Sequence, residues 1–273
     1  MTQQHLVVIP VKAPVRDGSF DLYATIVDSV TDGGETLQNG DVLAVSSKYA
    51  AISEGRVVSL DTVQVGSQAA YFAQRYMIDP KLAQLVIEES DHIFGGSTCD
   101  FSDTQVGFLL TSTYGILSPN AGLDLSNIPK GKVVLFPSSP YRMAREIRAR
   151  LEVNIGVILT DSWLVPGRLG TSGIALATAG LNPVQDERGK IDLFGNTVQV
   201  TVRGVADAIC ICAQMVMGEA AEATPFAVVR NTGITLVDDA FDVDDVSISW
   251  EQCIYVNALA NGRLEVPDNI DIS

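Results

Sequence analysis

Val106-Gly-Phe-Leu-Leu-Thr-Ser-Thr-Tyr-Gly-Ile-Leu117 decides the fold class. Two apolar runs, Val106 to Thr111 and Tyr114 to Leu117, read as a β-hairpin. It leads into Ser118-Pro-Asn-Ala-Gly-Leu-Asp-Leu-Ser-Asn127, which is too rich in turn residues to be a regular element. A doubly wound sheet joins parallel strands through helices, whereas a hairpin needs antiparallel neighbours. A chain that alternates strands and helices but also carries hairpins is therefore an α+β protein with mixed, largely antiparallel sheets and flanking helices.

Outward from the hairpin the pattern continues. His5 to Val11 reads as a strand ending in the Pro10 to Pro14 loop, with a helix near Asp21 to Val30. Gly40-Asp-Val-Leu-Ala-Val-Ser-Ser-Lys48 starts with a turn, runs on as a buried strand, and breaks into small polar residues that suit a ligand loop. Two amphipathic helices lie between Gln68 and Ser90, divided at Asp79-Pro80, an N-cap followed by proline at the first helical position. Val133 to Phe136 is a strand, and Ser139-Pro140 starts a basic helix running to Val153. The apolar strand Gly156 to Thr160 is expected to stop at Asp161-Ser162, ahead of a glycine-rich stretch reaching Gly195. Val198 to Val202 reads as strand and Val205 to Met217 as helix, with Gly218 at its C-terminal cap. A subdomain boundary falls near Arg203 or within Asn231 to Asp245. Residues 1–230 read as a catalytic domain, and 231–273 as an acidic C-terminal segment packed on it.

The chain has 273 residues and a formal charge of −15. Nine acids against one base lie between Asn231 and Ser273, so more than half of that charge is C-terminal. Such a surface repels phosphate backbones and argues against nucleic-acid binding. With 47% hydrophobic residues the chain has material for a core without staples. Four irregularly spaced cysteines fit neither a disulfide framework nor a zinc site. Without a signal segment or a membrane span, it reads as a soluble cytoplasmic protein.

Two histidines and the absence of Gly-x-Ser-x-Gly leave serine or zinc hydrolysis without its parts, and no loop ends in Gly-Lys-Ser/Thr. What remains are carboxylates beside flexible backbone. Asp124 sits among small residues with Asn127 three positions on, Asp161 follows a strand with Ser162 beside it, and Glu219 follows Gly218. Singly, each reads more readily as a cap, turn or solvated residue than as a ligand. Together they are hard oxygen ligands of the kind that hold Mg²⁺ or Mn²⁺ with substrate phosphates. Lys48 is a candidate phosphate ligand, and Arg168 and Arg188 are candidate clamps for carboxylate or phosphate, with local ion pairing as the alternative for both arginines. Cys210 and Cys212 are about 200° apart on a helix and read as core residues, and His92 as a helix-end cation. Asp238 to Asp245 reads as a solvated acidic loop, since it lacks the central glycine and final glutamate of a calcium loop.

Several of these segments, taken in order, resemble the coenzyme F420-0:L-glutamate ligases: Gly40 to Lys48 with Glu54-Gly-Arg56, Asn120 to Asn127, Gly156 to Ser162, Asp192-Leu-Phe-Gly195, and Val205-Ala-Asp207 to Glu219. The similarity covers Val8 to Arg230. It implies a GTP-dependent enzyme that uses Mg²⁺ or Mn²⁺, two ions, to join L-glutamate to an acceptor carboxylate as an amide. It also implies a homodimer built on a mixed α+β fold of two intertwined subdomains. Carried over residue by residue, the metal ligands are Asp124, Asp161, Ser162 and Glu219. The nucleotide contacts are Lys12, Ala13, Pro14, Val15, Ser47, Lys48 and Asn127, with Met217 and Gly218 beside them; Asp161 and Arg168 are the catalytic pair. The chain departs from the family pattern twice. Ile52 stands where a second lysine is common, and Trp163-Leu-Val-Pro-Gly-Arg168 keeps only the later arginine of a Gly-Arg-x-x-Arg loop. These departures make a ligase for another acceptor, such as a folate, or a catalytically silent GTP/GDP-binding paralogue the alternatives.

Overall fold

A computed structural model of the chain describes residues 5–101 and 104–261. The C-terminal acids Glu265, Asp268 and Asp271 lie outside the described residues. A five-stranded mixed sheet forms the centre, in the order Val7–Val11, Phe226–Arg230, Val42–Ser46, Gly156–Leu164, Thr171–Ala179. Val42–Ser46 and Gly156–Leu164 run parallel, and the other neighbours are antiparallel.

Both faces of this sheet are covered, which is why its central strand is a continuous apolar run. Leu43 and Val45 point to one face and pack with helices Leu22–Asp32 and Pro140–Arg150 through Ile26, Val30, Ala144 and Ile147. Val42 and Ala44 point to the other, under helix Val205–Met217, which contributes Val205, Ile209, Cys210 and Ala213. Asp41, at the foot of the strand, is 1% exposed and held bidentately by Arg230 at 2.9 and 3.0 Å.

The chain leaves this unit after helix Ser47–Ser53, builds a second one, and returns at Pro140. The second unit is an antiparallel meander, His92–Phe101, Thr104–Thr113 and Ile116–Pro119, backed by helices Ser67–Tyr76 and Pro80–Glu89. A small ladder, Val57–Ser59 with Lys132–Val134, stands between the two units. The mixed α+β class, the hairpin and the two helices split at Asp79 are all present. The hairpin turns through Tyr114 and Gly115, both with positive φ, the backbone of a two-residue primed turn.

Several elements differ from the sequence reading. Gly156–Leu164 does not stop at Asp161: Asp161 and Ser162 pair with Ile174 and Gly173, because the strand Thr171–Ala179, hidden in the glycine-rich stretch, satisfies their backbone. The polar break at Ser47 is the start of a helix, with the Ser46 hydroxyl accepting from the Tyr49 N–H. His92 opens a strand and stacks on Trp250 rather than closing a helix; Gly95 and Gly96, poor strand formers, conceal that strand. The basic helix ends at Arg150, and the strand expected over 198–202 is displaced to Val202–Gly204, where Val184–Asp186 offers a partner. The Asp238 to Asp245 stretch is the exposed acidic loop expected, with Asp242 capping the short turn Val243–Asp245 and Asp238 meeting Arg148 at 2.8 Å.

Candidate active site

Asp124 is delivered by a backbone that would not hold its shape alone. Asn120, Ala121 and Gly122 lie in succession in the left-handed region, a costly conformation for the first two. Buried hydrogen bonds impose it. The Asn120 side chain accepts from the Leu109 N–H at 2.9 Å, and Thr111 Oγ1 accepts from the Ala121 N–H at 2.9 Å while donating to the Ser118 carbonyl at 2.7 Å. Gly122 has a further reason to be glycine, since a Cβ there would lie 2.0 Å from the Phe136 ring. Asp124 is then tied by its own N–H and carbonyl to Val134, both at 2.9 Å.

Asp161 reaches the same place from within strand Gly156–Leu164, just past the end of its parallel ladder at Thr160 and near the irregularity where Leu159 and Thr160 face Ala177 and Ala175. Burial pushes its carboxyl up to about 6, and the nearby Asp124 charge adds to this. The Ser162 N–H, the Ser47 hydroxyl and the Lys48 ammonium act in the opposite direction. Glu219 arrives from the C-terminal end of helix Val205–Met217. The chain turns there at Gly218, φ +73°, where a Cβ would strike the Glu222 side chain at 2.4 Å. Its Oε1 accepts from Ser162 Oγ at 2.6 Å and Gln214 Nε2 at 2.5 Å.

Lys48, on helix Ser47–Ser53, places its ammonium 2.6 Å from Asp124 Oδ2 and donates to Ser126 Oγ at 2.7 Å. Asn127 donates to the Ala220 carbonyl at 2.7 Å, joining the Asp124 loop to the Glu219 loop. These groups line one cleft of about 890 Å³, with Ala13, Pro14, Val15, Met217 and Gly218 in its wall and apolar surface from Ile52, Phe136 and Trp163.

Of the residues singled out in the sequence, Lys12 and Arg168 are not in the cleft wall, and Ser47 is buried behind it against Asp161. Arg188 forms a local pair with Asp186 at 2.6 Å, the alternative the sequence left open. Cys210 is buried in the core. Gln214, Ser126 and Arg16 are not among the sequence candidates; Ser126, between Asp124 and Asn127, and Arg16, next to the Pro14-Val15 loop, have a positional signal, and Gln214 has none.

The donor set is suited to a hard divalent cation: three carboxylates and a hydroxyl, all oxygen, facing one space. Among the described residues, however, no three His, Cys, Asp or Glu side chains are gathered into a group that could hold an ion. Lys48 takes up Asp124, and Ser162 takes up Glu219.

Comparison with known proteins shows the family. The family described as F420-0:Gamma-glutamyl ligase matches residues 10–231. A coenzyme F420:L-glutamate ligase of Methanopyrus kandleri is 34% identical over 229 residues, 81% of this chain and 84% of the relative. One from Halobacterium salinarum is 35% identical over 224 residues, covering 80% and 83%. One from Methanothermobacter thermautotrophicus is 31% identical, also over 224 residues, covering 80% and 85%. The matched region contains every element that builds the cleft, and the chain belongs to the F420-0:gamma-glutamyl ligase family, whose members are amide-forming ligases.

Proposed function

We propose that the protein joins L-glutamate to the carboxylate of F420-0, consuming GTP and forming an acyl phosphate on the way. The observation that carries this reading is the convergence of Asp124, Asp161, Ser162 and Glu219 with Lys48 and Asn127 in a single cleft, from segments far apart in the chain. Asp124, Asp161, Glu219 and Ser162 would hold Mg²⁺ or Mn²⁺, which supplies positive charge to neutralise the nucleotide phosphates. Lys48 adds a cation on the same side, and the Ala13 to Val15 backbone and Asn127 position the nucleotide. An oxygen of the acceptor carboxylate attacks the γ-phosphorus and GDP leaves. The glutamate amine then attacks the acyl carbon, inorganic phosphate departs, and the amine proton passes to solvent. The protein acts chiefly by positioning and charge neutralisation. The apolar wall of Ile52, Phe136 and Trp163 limits water that would hydrolyse the acyl phosphate.

The test is incubation of the protein with F420-0, L-glutamate, GTP and Mn²⁺. The expected result is a product heavier by one glutamyl residue, with phosphate release that requires both acceptor and amino acid. Absence of that product with intact GTP binding would overturn the reading. One observation favours a second acceptor class: Trp163 and Leu164 line the cleft while Arg168 does not, so an acceptor without a phosphate fits this wall, and a folate belongs in the same screen. A homodimer is part of the proposal, supported by the exposed Leu169, Leu193, Phe194 and Met215. A cytoplasmic location is also proposed; no helix among the described residues is long and apolar enough to cross a membrane.

A further inference from the structure

The cleft wall carries five carboxylates, Asp17, Asp124, Asp161, Glu219 and Glu222, against two cations, Lys48 and Arg16. Lys48 is already neutralised by Asp124 at 2.6 Å. Arg16 is not: among the described residues no carboxylate pairs with it. Its guanidinium sits 5.4 Å from the centroid of the Phe20 ring. Phe20 packs on Tyr49 at 4.8 Å, and Tyr49 meets the fully buried Phe226 edge-on at 5.4 Å. The Tyr49 hydroxyl donates to the Pro14 carbonyl at 2.6 Å, fixing the loop that carries Arg16. The result is a planar, permanently charged fork beside the Tyr49 hydroxyl, on an aromatic platform rooted in the core, in the wall of a cleft where carboxylates outnumber cations.

An acidic cleft needs a specific device to admit an amino acid that carries two carboxylates. Glutamate brings two carboxylates, and neither takes part in bond formation, since its amine is the nucleophile. We infer that Arg16 receives a carboxylate of the incoming L-glutamate through its bidentate fork and so determines the specificity of the amino-acid subsite. The inference rests on the ligase reading above. The competing source of the same chemistry is a nucleotide phosphate, and the substrates are therefore varied separately.

The experiment compares the wild-type chain with R16Q and R16K, measuring KM for glutamate, GTP and acceptor with the other two saturating. R16Q raises KM for glutamate about 10- to 100-fold, the effect of losing a charge-assisted pair. The KM values for GTP and acceptor stay within about 2-fold, which a general structural defect would not spare. R16K, which keeps the charge and loses the fork, falls between. An unchanged glutamate KM, or a rise in the GTP or acceptor KM instead, overturns the inference while leaving the ligase reading intact. Calorimetric titration of L-glutamate into the protein with GDP and Mn²⁺ provides a readout that needs no turnover. Glutamate binding that is lost in R16Q supports the subsite even if no acceptor is joined, and binding that persists in R16Q overturns it.

Discussion

Replacing Asp161 with Asn is expected to abolish activity and raise stability together. Burial pushes this carboxyl from its ordinary 3.8 to about 6, so the folded protein favours the protonated form. Between about pH 4 and pH 6 the folded state binds more protons than the unfolded chain, and stability falls as pH rises through that window. The deficit is complete above about pH 6. At 1.36 kcal/mol per pH unit the displacement corresponds to about 3 kcal/mol. Because Asp161 retains partial exposure, about 1–3 kcal/mol is the working range. Asparagine is nearly isosteric and carries no charge, so the deficit disappears. Chelator-treated wild type and D161N, unfolded by urea from about pH 4 to pH 8, should differ by about 1–3 kcal/mol in favour of the variant at pH 7.5, converging near pH 4. The same variant should show no metal-dependent turnover. A variant less stable than wild type at pH 7.5, or one that retains full activity, would refute the argument that a desolvated carboxylate is kept there for function at the expense of stability.

Two further outcomes follow from the geometry. Lys48→Gln removes the ammonium that meets Asp124 at 2.6 Å; steady-state kinetics should show the GTP KM raised about 10-fold or more, with unfolding cooperativity retained. Arg230→Ala leaves Asp41 buried without its bidentate partner, and chemical denaturation should show a loss of about 3–5 kcal/mol, with KM values of the remaining folded protein unchanged.

Much of the fold could be read locally. Asp79-Pro80, Ser139-Pro140 and Gly218 mark helix ends with side-chain caps, a fixed φ or a left-handed turn, and these signals act within a few residues. Strands that depend on a distant partner are the ones that local sequence misplaces. Thr171–Ala179 is masked by its glycines, and Asp161-Ser162 reads as a terminator because nothing local shows that Ile174 and Gly173 complete its ladder. Helix Ser47–Ser53 is hidden because Ser46-Ser47 suits an N-cap and a ligand loop equally.

The site divides in the same way. That Asp124, Asp161 and Glu219 are reactive-looking acids beside small residues is a property of short segments, and so is the basic character of Lys48 and Arg168. Which of them share a cleft is not. Arg168 and Lys12 stay out of the wall, and Ser47 is turned inward to Asp161. Arg16, unremarked in the linear chain, becomes the cleft's one cation without a carboxylate among the described residues. Amino-acid order alone settles the chemical types available, the local caps and turns, and the buried character of strands such as Val42–Ser46. Tertiary packing alone decides the distances between groups tens of residues apart, and with them the desolvation and charge neighbours that set what each group can do, because electrostatic energies depend on separation in space and exposure to water rather than on position along the polymer.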